Sequence, residues 1–305
     1  MLVVAAAVCW GTGGLAGSVL GSGSVLSPLA VGSYRLVVAA VVLLAVQAVS
    51  RRRHGLLGAV AGLAARRGDA VRVLGVGLGL AVFQLCYFVA VRELGVSVAT
   101  FLTLGLAPVL VTSVAGVLLG ERAGPRLRVA MPAALVGLVL LVGAGAGEGF
   151  VPGMGGSRAV GVLAACASAA GYAAVTLLGR SLSARVQPAY VTTLGFVVAA
   201  VASLPVGLTA GMAFAPDPCA VVLVVYLGVV PTALAYTLFF AGLKRTASGT
   251  ASVLTLVEPL TAALLAVLLL GERLAPIQWC GAALLLGAVL ALSLPVRRRT
   301  PTLGG

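Results

Sequence analysis

The sequence predicts an all-α integral membrane protein, with ten transmembrane helices arranged as two inverted repeats of five. Three observations predict it. Of 305 residues, 61% are hydrophobic and 9% charged, whereas soluble domains carry about a quarter charged residues. Ten apolar runs each approach the roughly 20 residues that a helix needs to cross a bilayer. The chain also repeats itself: L-T-L-G-L-A-P-V-L-V-T-S-V-A-G-V-L-L-G-E-R at 102–122 returns 151 positions later, at 253–273, as V-L-T-L-V-E-P-L-T-A-A-L-L-A-V-L-L-L-G-E-R.

The spans are expected at 2–20, 30–49, 72–91, 97–119, 128–147, 159–178, 189–210, 219–241, 249–270 and 276–294. The first begins with no basic residue before it, which argues against a secretory signal peptide, and bulky Val8 before Cys9 argues against a lipoprotein site. The second is followed by Arg51, Arg52 and Arg53, which anchor topology at anionic lipid. The apolar stretch 55–65 has eleven residues, too few to span, and is expected at the inner interface. Gly13-x-x-x-Gly17 and Gly75-x-x-x-Gly79 are small-residue steps that permit close helix contact. At an offset of 160, Pro28 matches Pro188 and 37–41 matches 197–201; at 151, Phe88 matches Phe239, Pro108 matches Pro259 and Pro125 matches Pro276. The units are therefore a first repeat over 1–147, an outer Gly/Pro-rich linker over 148–157, a second repeat over 158–296 and a basic cytoplasmic tail over 297–305. Five spans per unit force the second to insert upside down relative to the first, an architecture that lets one site face either side of a membrane.

Orientation follows from Lys and Arg. With the N-terminus inside, sixteen of the 20 basic residues fall in inner loops and four, Arg35, Arg92, Arg158 and Arg273, on the outer side. This places both termini in the cytoplasm. The same distribution explains a net charge of +13 without a nucleic-acid partner. Five scattered cysteines make neither a disulfide framework nor a metal site. His54 is a loop residue. No Walker A or dinucleotide fingerprint is present, so no nucleotide, metal or other cofactor is expected.

Glu258 is the principal candidate for chemistry. It stands where the first copy has Ala107, in the middle of what reads as one long helix. A carboxylate at mid-bilayer costs several kcal/mol unless it is paired, solvated or protonated. Its candidate roles are proton coupling or binding of a substrate amine; the bland reading is a protonated acid holding a neighbouring helix. Pro259 is expected to kink the helix and free carbonyls toward the same face. Thr255 and Thr261 share that face at i−3 and i+3. Arg35 has three readings: a clamp for a substrate carboxylate, a partner of Glu258, or snorkelling to outer headgroups. Gln84 and Tyr87, one turn apart, together with Trp10, Tyr172 and Tyr236, are candidates to line a pocket for an amphipathic metabolite; interhelical packing is the plain alternative for each. Gly-Glu-Arg, on opposite sides in the two halves, reads first as a helix stop and second as a gate.

Two five-helix repeats, each with an apolar helix ending L-L-G-E-R, resemble the drug/metabolite transporter superfamily, specifically its EamA family. The likeness covers nearly the whole chain and is most specific at 108–122 and 258–273. P-L-A-V-G-S-Y-R at 28–35 also looks like the family's second-helix pattern, with Arg35 as its basic residue. The E-P pair of the ninth helix is similar to that of bacterial threonine/homoserine-type exporters. The nearly absent N-terminal tail departs from the pattern. The resemblance implies an inner-membrane carrier that exports amino acids or related metabolites by alternating access around a central cavity.

The expected function is therefore secondary transport, with a small-molecule substrate, protons as candidate coupling ion and membrane lipids as surroundings; monomer and homodimer both stay open. One rival is an integral-membrane enzyme acting on a lipid or isoprenoid. It would need clustered acids, histidines or a metal set at one interface, and seven spread acids with one His count against it. The other is a passive channel, which would need a continuous polar lining.

Overall fold

The computed structural model describes residues 1–23, 26–50, 66–143, 157–212 and 218–294, together with 55, 56, 58 and 60–62. The cluster 51–53, His54, five of the eleven residues 55–65, nearly all of the linker and the tail 297–305 lie outside the described residues. The helices are α1 (Leu2–Gly23), α2 (Pro28–Val49), α3 (Arg67–Leu94), α4 (Val96–Leu118), α5 (Pro125–Gly143), α6 (Arg158–Ser183), α7 (Pro188–Thr209), α8 (Pro218–Leu243), α9 (Ser248–Leu270) and α10 (Pro276–Ser293). Among the described residues nine are long and apolar enough to cross a membrane, α1 adds an apolar helix over Leu2–Gly14, and no strand occurs. Val41, Val117, Leu163, Val201 and Leu268 are exposed on the outer surface. Such a surface suits hydrocarbon, where every backbone group is satisfied within its own helix.

Local chemistry sets the ends. Pro28, Pro188 and Pro276 each open a helix, where a missing N–H costs nothing and φ is already helical. The Ser27 hydroxyl also accepts from the Ala30 N–H at 3.2 Å. Gly120 (φ 64°) and Gly271 (φ 68°) close α4 and α9 in the left-handed conformation that side chains with a Cβ disfavour.

The expectation of one unbroken helix through Glu258 is corrected. α9 is interrupted at Thr255 and Leu256, between Ser248–Leu254 and Val257–Leu270. Pro259 has no N–H for the Thr255 carbonyl. That carbonyl instead accepts from the Glu258 N–H at 2.9 Å, a tighter turn that opens the helix one turn upstream of the proline.

The principal contacts are α3 with α6, α5 with α10, α2 with α7, α4 with α6, and α1 with α8 and α9. Replacing each helix by the one five places away maps the set onto itself: α3–α6 becomes α8–α1, α4–α6 becomes α9–α1, and α2–α7 and α5–α10 are unchanged. Two crossings bring backbones together through glycine. A Cβ on Gly171 would lie 2.8 Å from both the Gly79 carbonyl and the Phe83 nitrogen, which accounts for one glycine of the step on α3. A Cβ on Gly281 would lie 2.6 Å from Leu141 N and 2.7 Å from the Gly137 carbonyl. Gly281→Val therefore has to push α5 and α10 apart and is expected to lower Tm in detergent by roughly 5 °C. Gly287→Val, six residues along the same helix with open space around it, should leave Tm unchanged; equal effects of the two would remove the backbone-contact argument.

Candidate functional site

The bundle has a near end, where α1 begins, and a far end, where α2 begins. A cavity of about 370 Å³ lies between the halves, within the size range of small-molecule sites. Leu26 and Pro28 at the start of α2, Val91 late in α3 and Val96 at the start of α4 form its rim. All four belong to the far end, so among the described residues the cavity reaches and opens at that end and not the near one.

Seven of the nine side chains singled out in the sequence line this one space: Glu258, Arg35, Trp10, Gln84, Tyr87, Tyr172 and Tyr236; Thr261 does not, and its hydroxyl donates to the Val257 carbonyl of its own helix at 2.9 Å. Thr255 does not; it stands behind Tyr172. Thr255 Oγ1 donates to the Ser252 carbonyl at 2.8 Å, so the Tyr172 hydroxyl, 3.0 Å away, donates to Thr255. Tyr87 shares a hydrogen bond of 2.8 Å with Thr100 on α4. These two bonds hold the phenols against opposite walls.

Arg35 lies seven residues along α2 from Pro28, about 10 Å in from the far end at 1.5 Å per residue. It turns into the bundle rather than toward headgroups. Its Nε donates to Thr232 Oγ1 at 3.3 Å. Thr232 is presented by a π turn, Val229–Leu234, that the sequence reading did not anticipate. Its cause is Pro231: without an N–H it cannot bond the Leu227 carbonyl, and Thr232 Oγ1 donates to that carbonyl instead, at 2.6 Å. Arg35 and Glu258 thus share a cavity without a direct ion pair; none of the side-chain ion pairs among the described residues involves either. Each charge remains available to a third party. The Trp10 indole N–H, buried beside them, has no acceptor among the described residues.

Below this floor the bundle is shut. Trp10 packs on Tyr236 and Phe239 with centroids 4.9 and 5.3 Å apart, and Phe196 meets Tyr236 edge-on at 5.2 Å. Phe196, Phe239 and Phe240 are fully buried. At the near end Glu121, read in the sequence as part of a helix stop, ties three elements. Its Oε1 accepts from Arg180 Nε on α6 at 3.2 Å, and its Oε2 accepts from the Ser248 N–H at the start of α9 at 2.7 Å. Arg180 also donates to the Leu243 carbonyl at the end of α8. Asp69 on α3 pairs with Arg72 at 2.6 Å and with Arg185, beyond α6, at 3.4 Å.

The apolar walls were missed: Phe83, Phe88, Val31 and Leu104 also line the cavity. A partial signal existed, because Phe83, Gln84, Tyr87 and Phe88 recur at helical spacing on α3. It was indistinguishable from a packing stripe.

The model of the EamA-like transporter family matches this chain twice, at residues 1–143 and 159–294. The chain is 27% identical over 299 residues to the uncharacterised transporter YwfM of Bacillus subtilis, across 98% of this chain and 95% of that one. It is 32% identical over 217 residues to an uncharacterised transporter of Archaeoglobus fulgidus, across 70% of this chain and 74% of that one. A solved crystal structure superposes on 96% of this chain and 95% of its own with a TM-score of 0.79 at 25% identity.

Proposed function

Because the chain belongs to the EamA-like transporter family, and is thus a multi-pass membrane transporter, we propose that it exports small amino acids or related amphipathic metabolites across the cell membrane by alternating access. One observation carries this reading: an acid and a guanidinium, neither paired with the other, line a partly aromatic cavity open at one end and sealed at the opposite one. A zwitterion with an apolar side chain complements that lining. Arg35 receives the carboxylate near the mouth. Glu258, deeper, binds the amine or exchanges a proton. Trp10, Gln84, Tyr87, Tyr172 and Tyr236 shape the space between.

The near end is the cytoplasmic one. Arg66, Arg67, Arg122, Arg126, Arg128, Lys244 and Arg245 cluster there, against Arg92, Arg158 and Arg273 at the far end, and basic loops stay inside. The cavity then opens outward, and the state described is the one that follows release of an exported solute. The exchange symmetry of the helix contacts supports two inverted repeats that rock about the cavity. A membrane enzyme is disfavoured, because among the described residues the cavity gathers one carboxylate and no histidine or cysteine, without the clustered acids, histidines or metal set such chemistry needs.

The test is counterflow in proteoliposomes loaded with unlabelled solute, using a radiolabelled panel of amino acids. Native vesicles should accumulate at least one of them transiently. If none moves, the amino-acid assignment falls. If labelled solute merely equilibrates, with no overshoot at any load, a channel replaces the carrier.

A further inference from the structure

The two Gly-Glu-Arg turns have the same local structure and different surroundings. Gly120 and Gly271 both adopt left-handed φ, 64° and 68°. The Glu121 N–H bonds the Ala115 carbonyl at 3.2 Å, and the Glu272 N–H bonds the Ala266 carbonyl at 3.3 Å, six residues back in each case. Yet Glu121 is tucked in, bonded to Ser248 N–H and Arg180, whereas Glu272 is exposed and makes no ion pair among the described residues. Helix termination is complete at both turns, so it does not explain why one carboxylate is engaged.

The offset of 151 that relates the turns also relates Ser248 to Ser97. Ser97 is the second residue of α4, whose first turn has no side-chain cap. It adjoins Val96 on the open rim of the cavity. The far end therefore holds an unengaged copy of each half of the near-end contact. The same offset relates Phe239, fully buried in the near-end plug, to Phe88, which lines the open cavity. Two unconnected positions thus record the same asymmetry: engaged in the near-end copy, open in the far-end copy.

We propose that the two Gly-Glu-Arg glutamates are alternating latches. Glu121 holds the near end shut by accepting from the Ser248 N–H. In the opposite state Glu272 accepts from the Ser97 N–H and holds the far end shut while the Glu121 contact breaks. Charge-assisted bonds to backbone N–H are short and directional, so each latch engages only when its half-bundle is closed. Arg180, with no basic counterpart in the far-end copy, adds an ion pair to the near-end latch alone, which biases the resting protein toward the state described. The inference rests on the alternating-access reading but not on the identity of the solute.

The test uses two equivalent reporter pairs that leave both glutamates in place: Arg122→Cys with Ala247→Cys at the near end, and Val96→Cys with Arg273→Cys at the far end. All four positions are exposed and are related by the same offset of 151. The five native cysteines are replaced by alanine, and a short bifunctional methanethiosulfonate is the probe, on full-length protein in liposomes. The near-end pair should cross-link in the unmutated background, which also certifies folding. Glu121→Gln should lower near-end yield and raise far-end yield, with a shift of about tenfold in their ratio. Glu272→Gln should move the ratio the other way. Unchanged yields in Glu121→Gln, or a far-end pair indifferent to Glu272→Gln, overturn the latch. So does a far-end pair that never cross-links while counterflow proceeds. If the yields respond reciprocally but no amino acid moves, the latch stands and the substrate reading alone falls.

Discussion

Vesicles carrying Glu258→Gln are expected to exchange solute at rates comparable to the native protein and to ignore an imposed pH gradient entirely. One pH unit is worth about 1.4 kcal/mol per proton, so a native carrier moving one proton per solute should concentrate label roughly tenfold. The variant should reach a ratio of one. The expectation follows from position. Among the described residues Glu258 is the one carboxylate that lines the cavity and has no ion-pair partner, and it sits just past the interruption of α9. A group placed so can gain and lose a proton as the cavity changes sides, and glutamine keeps its shape while holding it permanently neutral. If Glu258→Gln still concentrates label under the gradient, coupling resides elsewhere. If it neither exchanges nor responds but remains folded, Glu258 binds the amine instead.

Most of the fold was legible because hydrophobic run length is a property of single segments. The ten spans fall within a few residues of the helices. The duplication was legible for a similar reason: Gly120 and Gly271, Pro125 and Pro276 do the same local work, and identical work selects identical residues. The convergence of Glu258, Arg35 and Tyr87 on one cavity is less obvious, since it depends on how three helices face each other. It was accessible only because polar side chains in hydrocarbon must point inward. That rule says nothing of Phe83, Phe88 or Val31, which suit lipid, core and cavity equally. Nor does it distinguish Thr255 from Tyr172, and the structure puts Thr255 in the second rank. The π turn at Val229–Leu234 and the break at Thr255–Leu256 escaped for another reason. Proline announces that a carbonyl will be orphaned, but which group takes it up is decided by neighbours: a hydroxyl one residue on at Thr232, and a tightened backbone turn at Glu258. The role of Glu121 was hidden too, because a turn that ends a helix and a turn that bolts three helices together have the same sequence.

Arg35→Gln should separate binding from turnover. Arg35 Nε is committed to Thr232, which leaves the guanidinium's other N–H groups for a ligand, and a planar fork fixed at one nitrogen is well posed for a carboxylate. Losing a desolvated charge pair costs about 2 kcal/mol or more, so KM for an amino acid should rise roughly 30-fold while the maximal rate at saturation changes little. The corresponding decarboxylated amine supplies the control: as a competitor it should inhibit Arg35→Gln and native protein equally, since it never used the guanidinium. Thr232→Val should fall between them, because it frees the fork without removing the charge. Its side chain also satisfies the Leu227 carbonyl, so a normal Tm is required before its transport is read. Were Arg35→Gln to weaken the amine as much as the amino acid, the guanidinium would be acting on the cavity as a whole, through Glu258 or through the α2–α8 contact, and the carboxylate clamp would have to be given up.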